Sequence, residues 1–475
     1  MGKYGYLVKN VGLLTISSFA TKLLSFFLVP LYTSVLTTGE YGTYDLFATT
    51  VGILVPILTL DIQEGVLRFA MDRDGDKAAL VTVGTRCTLI GCTIVAATLI
   101  VVLLMGIFPL EGRFAFYFLL VFASQALYGL TSCYARGTGR IQELSVSGII
   151  ASVTTIALNI ILLLPFRMGL DGYFLANIIG PLLQAVYLGL VTKMPRETHL
   201  GNRYSEQAKD FFAYARPLIA NAVAWWVNNL SDRYIVTFFC GVAANGVYSV
   251  AAKIPSILNV FQTIFNQAWS LSSTRDFDSE DKDGFFANTY RAYNCLMTLI
   301  CSAIVLADKP LARFLYANDF YLAWQYVPWL TIAILFGALT GYLEGFFVAV
   351  KDSKTPARST VAGAVTNIAM NFALTPWMGP LGAAVATAVC YLETWVLRLW
   401  FSRRYIRLRI RLGRDCVTYA LIVAQSVALL LIPDPLPMYS VVGGLFLVIF
   451  LLYFGDVRLI VRKGVGSLRS RLLRQ

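Results

Sequence analysis

About fourteen apolar runs follow one another along this chain, each long enough for a helix to cross roughly 30 Å of hydrocarbon, and that leaves few folds open. Inside a bilayer every backbone N–H and C=O must be satisfied within the protein, so only helices and closed barrels span it. These runs are continuously apolar and lack the period-two alternation of barrel strands. The expectation is an all-α membrane protein with spans near 10–35, 43–66, 79–107, 114–135, 144–165, 173–193, 210–240, 247–270, 286–306, 324–350, 356–375, 381–402, 415–432 and 437–457, taking about 20 residues as the minimum for a span. A mean hydropathy of +0.67 excludes an ordinary soluble domain. The first run is too long for a cleaved leader, has no small-residue cleavage pattern and is followed at once by further spans.

The second six spans repeat the first six at an offset of roughly 205 residues, the pattern of transporters built from two parallel bundles. Tyr41-Gly42-Thr43-Tyr44 has its counterpart in Asn245-Gly246-Val247-Tyr248, and Gln63 and Arg86 have theirs in Gln267 and Arg291. Asn159, Pro165, Gly169 and Gly172 recur as Asn371, Pro376, Gly379 and Gly382. The expected organisation is an N-terminal six-helix bundle over about 1–193, a cytoplasmic linker over 194–209 and a C-terminal six-helix bundle over 210–402. An Arg-rich join, two appended transmembrane helices and a basic tail then fill 403–475.

A net charge of +12 invites a nucleic-acid reading, but its placement argues for a membrane. With Met1 inside, alternating loops on that side hold Lys3, Lys9, Arg73, Lys77, Arg136, Arg140, Lys193 and Arg196, then Arg275, Lys282, Lys351, Lys354 and the Arg403–Arg414 run. The opposite loops hold only Arg113, Arg167, Lys309 and Arg313. This is the positive-inside pattern, and it places both termini in the cytoplasm. The basic face is expected to meet anionic lipid headgroups, with no nucleic acid as partner. The eight cysteines form no CxxC pair and no cluster with the lone His199, so no metal or cofactor is expected. No GxxxxGK[ST] sequence is present, so ATP drive is not written in the chain.

Ionisable groups inside spans carry the functional signal, because an Arg or Lys at the bilayer centre costs about 2.5–3.5 kcal/mol even on insertion scales. Lys22, Arg68, Arg86, Arg233, Lys253 and Arg291 are the candidate cations of a substrate path. Snorkelling to the cytoplasmic interface is the alternative for Arg68, Arg216, Arg291 and Arg398. Glu64 and Arg68 stand i,i+4, so a local ion pair would also account for them. Asp45, Asp61, Glu64 and Asp232 are candidate coupling or pairing acids, and Glu344 and Glu393 lie in apolar surroundings too. Trp225, Trp226, Asn228 and Asn229 suit a glycan, although helix packing explains the tryptophans equally well. Pro30, Pro56, Pro181, Pro217, Pro255 and Pro328 are placed to bend spans, for motion or for static packing.

The order of several motifs makes the resemblance specific. Ser231-Asp232-Arg233-Tyr234-Ile235, the run Asn245 to Pro255, Val348-Ala349-Val350-Lys351-Asp352-Ser353-Lys354-Thr355-Pro356, and Asn367, Asn371 and Leu381-Gly382-Ala383-Ala384 together resemble the bacterial polysaccharide transporter family. That family belongs to the superfamily of lipid-linked oligosaccharide flippases, multidrug exporters and peptidoglycan-precursor flippases. The resemblance implies a non-enzymatic flippase in the bacterial cytoplasmic membrane, serving O-antigen, capsule or exopolysaccharide synthesis. It would move a polyprenyl-diphosphate-linked oligosaccharide to the outer leaflet by alternating access through a cationic central cavity, with Na⁺ or H⁺ as the open choices of coupling ion. Its partners would be that lipid-linked glycan, membrane lipids and other polysaccharide-assembly membrane proteins, and a monomer is compatible with this reading. A multidrug exporter or lipid II flippase stays open within the superfamily. A glycan polymerase or ligase is the alternative from another class, but the outer loops are too short for a catalytic domain.

Overall fold

The runs fold as helices, as the bilayer requires. The computed structural model describes residues 26–71, 76–106, 111–198, 205–275, 277–350, 352 and 354–472, and no strand occurs among them. In order the helices are α1 Val29–Val35, α2 Thr38–Leu58, α3 Ile62–Ala70, α4 Lys77–Met105, α5 Gly112–Gly137, α6 Ile141–Leu163, α7 Gly169–Val191, α8 Met194–Glu197, α9 Ser205–Leu230 and α10 Asp232–Cys240. Then come α11 Val242–Ala251, α12 Ser256–Arg275, α13 Phe285–Leu315, a 3-10 helix Asn318–Gln325, α14 Val327–Ala349, α15 Lys354–Met378, α16 Pro380–Ser402, α17 Leu412–Leu431 and α18 Pro435–Leu472.

Ten of the described helices are long and apolar enough to cross a membrane: α2, α4, α5, α6, α7, α13, α14, α16, α17 and the Pro435–Arg458 part of α18. The chain is a multi-pass membrane protein. Helices α9, α12 and α15 have 26, 20 and 25 residues, long enough to span, yet they fall short of that apolarity. Asn259, Gln262 and Asn266 on α12 and Asn367 and Asn371 on α15 show why. Helices of this kind belong against protein or a wet cavity rather than lipid.

The chain forms two compact units, Met1–Tyr234 and Ile235–Gln475. In the first, α3 seats closely on α5 because two glycines there leave room. A Cβ on Gly137 would stand 2.5 Å from the Ala70 Cβ and 2.8 Å from the Leu67 carbonyl oxygen, and one on Gly129 would strike the Gln63 amide. In the second unit α12 seats on α14 in the same manner, with the Trp269 indole against Gly345 and its Nε1 donating to the Tyr342 carbonyl at 2.8 Å. Small residues let helix backbones approach where lipid tails offer no hydrophobic drive.

The repeated turn motif has a structural basis in both units. Gly169 and Gly379 have φ of 53° and 62°, in the left-handed region that glycine enters without strain. Beyond them, a Cβ on Gly172 would meet Leu162 at 3.0 Å, and one on Gly382 would meet the Leu374 backbone at 2.6 Å. Asn159 and Asn371 are buried in both hairpins.

Three expected spans are broken rather than continuous. The span at 43–66 divides into α2 and α3, with Pro56 inside α2 and with Leu60 and Asp61 left-handed at φ 56° and 48°. Pro56 has no N–H to give the ladder, and its carbonyl instead accepts from Asp61 N at 2.7 Å. The span at 247–270 divides at a turn over 252–255 that contains Lys253 and Pro255, and the span at 210–240 divides at Ser231. Pro30 and Pro328 bend nothing, because they stand in the first turns of α1 and α14, where a missing N–H is harmless. The expected outer segment at 307–323 is helical to Leu315 and continues into the 3-10 helix.

Candidate functional site

A cavity of about 780 Å³ lies inside the first unit. One face of α2 supplies Tyr44, Ala48, Val51, Gly52, Val55 and Pro56, at the spacing that keeps side chains on one side of a helix. Val121, Gln125, Tyr128 and Gly129 of α5 and Tyr214, Leu218 and Ala222 of the polar helix α9 close it in the same way. The α2–α3 break adds Asp61, Gln63 and Glu64. Gln63 is held in place, with its amide against Gly129 and its Nε2 donating to the Ala126 carbonyl at 3.4 Å. Tyr44 is held by the rings of Tyr173 and Phe174, at centroid distances of 4.7 and 5.3 Å. The lining thus offers carboxylates, amides, phenols and apolar faces. Among its described residues there is no Lys or Arg.

Two of the anticipated charges meet in this unit. Arg233 Nε stands 3.0 Å from Asp45 Oδ2, both side chains largely buried, and Arg233 Nη1 donates to Thr49 Oγ1 at 3.4 Å. Trp226 Nε1 donates to the Thr49 carbonyl at 2.9 Å, and the Thr50 and Tyr234 hydroxyls share a hydrogen bond. These contacts tie residues 226–234 to the face of α2 that carries Asp45, Thr49 and Thr50. Trp226 is therefore a packing and hydrogen-bonding residue here, the alternative that the sequence left open.

The other candidates are dispersed. Arg68 is exposed on α3, Arg86 is half-buried on α4, and Lys253 is half-buried in the turn between α11 and α12. Asp232 is buried at the start of α10. Lys22 lies outside the described residues, as do the side chains of Trp225, Asn228 and Asn229. Arg291 is engaged in the second unit, where its Nη2 donates to Asp456 Oδ1 at 2.6 Å. Arg414 Nη1 donates to the other Asp456 oxygen at 2.6 Å and its Nη2 to Asp415 at 3.2 Å. Tyr453 donates to Asp415 at 2.9 Å and accepts from Asn294 at 3.1 Å, so the network joins α13, α17 and α18.

Arg398 departs furthest from the sequence reading. It does not snorkel: it is 5% exposed, and each of its guanidinium nitrogens has a partner. Nε donates to Ser359 at 3.1 Å, Nη1 to Glu344 at 2.9 Å and the Thr340 carbonyl at 3.3 Å, and Nη2 to Thr360 at 3.0 Å. Asp308 is the opposite case, fully buried on α13 with no partner for either carboxyl oxygen among the described residues. Lys309 beside it points elsewhere, its Nζ 4.4 Å from the Trp324 ring centre.

Comparison with known proteins places this geometry in context. Residues 7–270 match the family described as polysaccharide biosynthesis protein, and residues 217–373 match the MatE family. A curated relative, the probable low-salt glycan biosynthesis flippase Agl15 of Haloferax volcanii, is 22% identical over 323 residues, covering 66% of this chain and 67% of its own. Among solved structures, the lipid II flippase MurJ in an inward closed conformation superposes with a TM-score of 0.68 at 14% identity, over 93% of this chain and 98% of that one. An inward-facing multidrug resistance MATE family transporter of the MOP superfamily gives a TM-score of 0.65 at 12% identity, over 81% of this chain and 94% of that one. The fold is that of these transporters.

Proposed function

The chain belongs to the polysaccharide biosynthesis protein family, and from that premise we propose that it is a flippase for polyprenyl-diphosphate-linked oligosaccharides. The observation that carries the reading is a cavity with both polar and apolar lining between α2, α3, α5 and α9, with room for sugar rings. Of these helices, α2 and α5 are long and apolar enough to cross a membrane. A glycan headgroup cannot leave water for about 30 Å of hydrocarbon unless protein groups replace its hydration. Amides, phenols and carboxylates do this for sugar hydroxyls, while the lipid tail stays in the bilayer. Lys22, Arg68, Arg86 and Lys253 remain the proposed contacts of the diphosphate, whose charge asks for cations. The two repeats would alternate access from the cytoplasmic to the outer face of a bacterial cytoplasmic membrane, both termini staying inside.

One observation favours a second reading. Asp61 and Glu64 in the cavity would also suit an organic cation, as in a multidrug exporter. Proteoliposomes loaded with a labelled polyprenyl-diphosphate oligosaccharide decide between them. The flippase reading expects headgroup translocation faster than in empty liposomes, with Lys22→Ala slowing it. Efflux of an organic cation without any headgroup translocation would move the assignment to drug export.

A further inference from the structure

We infer that the cavity of the first unit is a sugar-binding subsite that admits a neutral or amine-bearing ring and turns away a uronate. The inference rests on the flippase reading and names the glycan class it would serve. Its volume of about 780 Å³ lies in the range of small-molecule sites, about 300–1,000 Å³. The lining matches a pyranose on each of its surfaces. Val51, Val55, Val121 and Leu218 meet C–H faces, and Gln63 and Gln125 both donate to and accept from hydroxyls. Asp61 and Glu64 only accept, so they require donors: a hydroxyl, or better an ammonium.

The sign of the charge sets the selectivity. Asp61 and Glu64 stand three residues apart at the start of one helix and open on the same cavity. A third carboxylate, brought in on a sugar, would meet two like charges in a partly dehydrated space, where repulsion is several times stronger than in water. Building in repulsion of this kind is how sites reject near-isosteric ligands. The same repulsion keeps the diphosphate out, so the glycan end alone enters and the diphosphate stays on cations beyond the cavity. The backbone that carries the two carboxylates is held in place. Asp61 is held left-handed by its N–H bond to Pro56, and the intervening Gln63 is locked against Gly129.

The test uses the full-length protein in lipid nanodiscs at pH 7, with calorimetric titration of four probes. These are chitobiose, its de-acetylated diamine, digalacturonate and ethidium. Chitobiose and the diamine are expected to bind, with digalacturonate at least about tenfold weaker. Glu64→Gln, a change at an exposed side chain, should narrow that gap severalfold, and Ala48→Trp should abolish sugar binding by filling the cavity. Digalacturonate binding as tightly as chitobiose, or a gap unmoved by Glu64→Gln, would overturn the inference. So would ethidium binding without sugar binding. A parallel translocation assay separates the two readings. If headgroups are translocated but no sugar binds, the subsite is wrong and the flippase stands. If sugars bind in the stated order without translocation, the subsite stands and the flippase reading falls.

Discussion

In the first unit, Asp61 and Glu64 are left facing a cavity, whereas in the second unit Arg398, Arg291, Arg414, Asp415 and Asp456 are matched with partners between helices. The contrast runs between acids at the start of the nine-residue α3 and charges carried by the long helices α13, α16, α17 and α18. A charge held open to a cavity keeps its hydration and stays available for a ligand. A charge closed off by Ser359, Thr360 and Glu344 gives up that availability and fixes how α14, α15 and α16 sit together. The insertion cost of a charge singles out Asp61, Glu64 and Arg291 alike as candidates for a transport path. Geometry separates them into acids that line a cavity and a set of clamps.

The sharpest way to break this comparison is to remove one charge of each kind. Arg398→Ala takes the shared donor from Ser359, Thr360, the Thr340 carbonyl and the half-exposed Glu344, and leaving buried acceptors without a hydrogen bond costs about 1–3 kcal/mol. Glu64→Gln should change stability by no more than about 0.5 kcal/mol, as an exposed position does. Thermal unfolding in detergent reads both. If Glu64→Gln destabilises as much as Arg398→Ala, then Glu64 is a clamp too and the cavity is not poised for a ligand.

Asp308 tests the rule from the other side. It belongs to the clamped unit yet lacks any described partner, and a buried polar group without a hydrogen bond costs about 1–3 kcal/mol. Asp308→Leu, close in shape and without polar atoms, should therefore raise the unfolding midpoint, by about 1 kcal/mol of stability, instead of lowering it. A loss comparable to that of Arg398→Ala would reveal a partner for Asp308 and remove it as the exception.

The helices and the recurring hairpin were readable because both are written in local sequence. Pro165–Gly172 and Pro376–Gly382 announce the same hairpin twice, and the φ of Gly169 and Gly379 shows why glycine is used. Pairing was not readable, because it depends on residues far apart in the chain. Ser359 and Glu344 lie 39 and 54 positions from Arg398, and Asp456 lies 165 from Arg291, so an arginine near a helix end reads as a snorkelling side chain. The acids of the cavity stood out in an apolar run, but the α2–α3 break that aims them was hidden. Pro56 alone signals a bend and not a left-handed Leu60–Asp61 pair. From α9 the cavity takes Tyr214, Leu218 and Ala222, which nothing in the sequence marked out.

A smaller effect separates an exposed clamp from the buried ones. Between α14 and α15, the Asp352 carboxylate accepts from the Thr355 hydroxyl at 2.5 Å and the Tyr405 hydroxyl at 2.8 Å. These bonds, Thr355 first, hold its pKa down to about 2 from the ordinary 3.8. A carboxyl held low stabilises the fold above its ordinary value and loses that contribution as pH falls through the lowered one. Tyr405→Phe removes one of the two hydroxyls and lets the carboxyl move back up, so the variant should unfold at a slightly lower temperature than wild type. That difference should stay level from pH 7 to pH 4 and shrink below it, because protonation removes what the hydroxyl had favoured. Tyr405 also meets the Phe347 ring edge-on at 5.9 Å, and loss of that packing would be indifferent to pH. A difference that persists unchanged below about pH 2 would therefore assign Tyr405 to packing and leave Asp352 to Thr355 and the backbone N–H of Lys354.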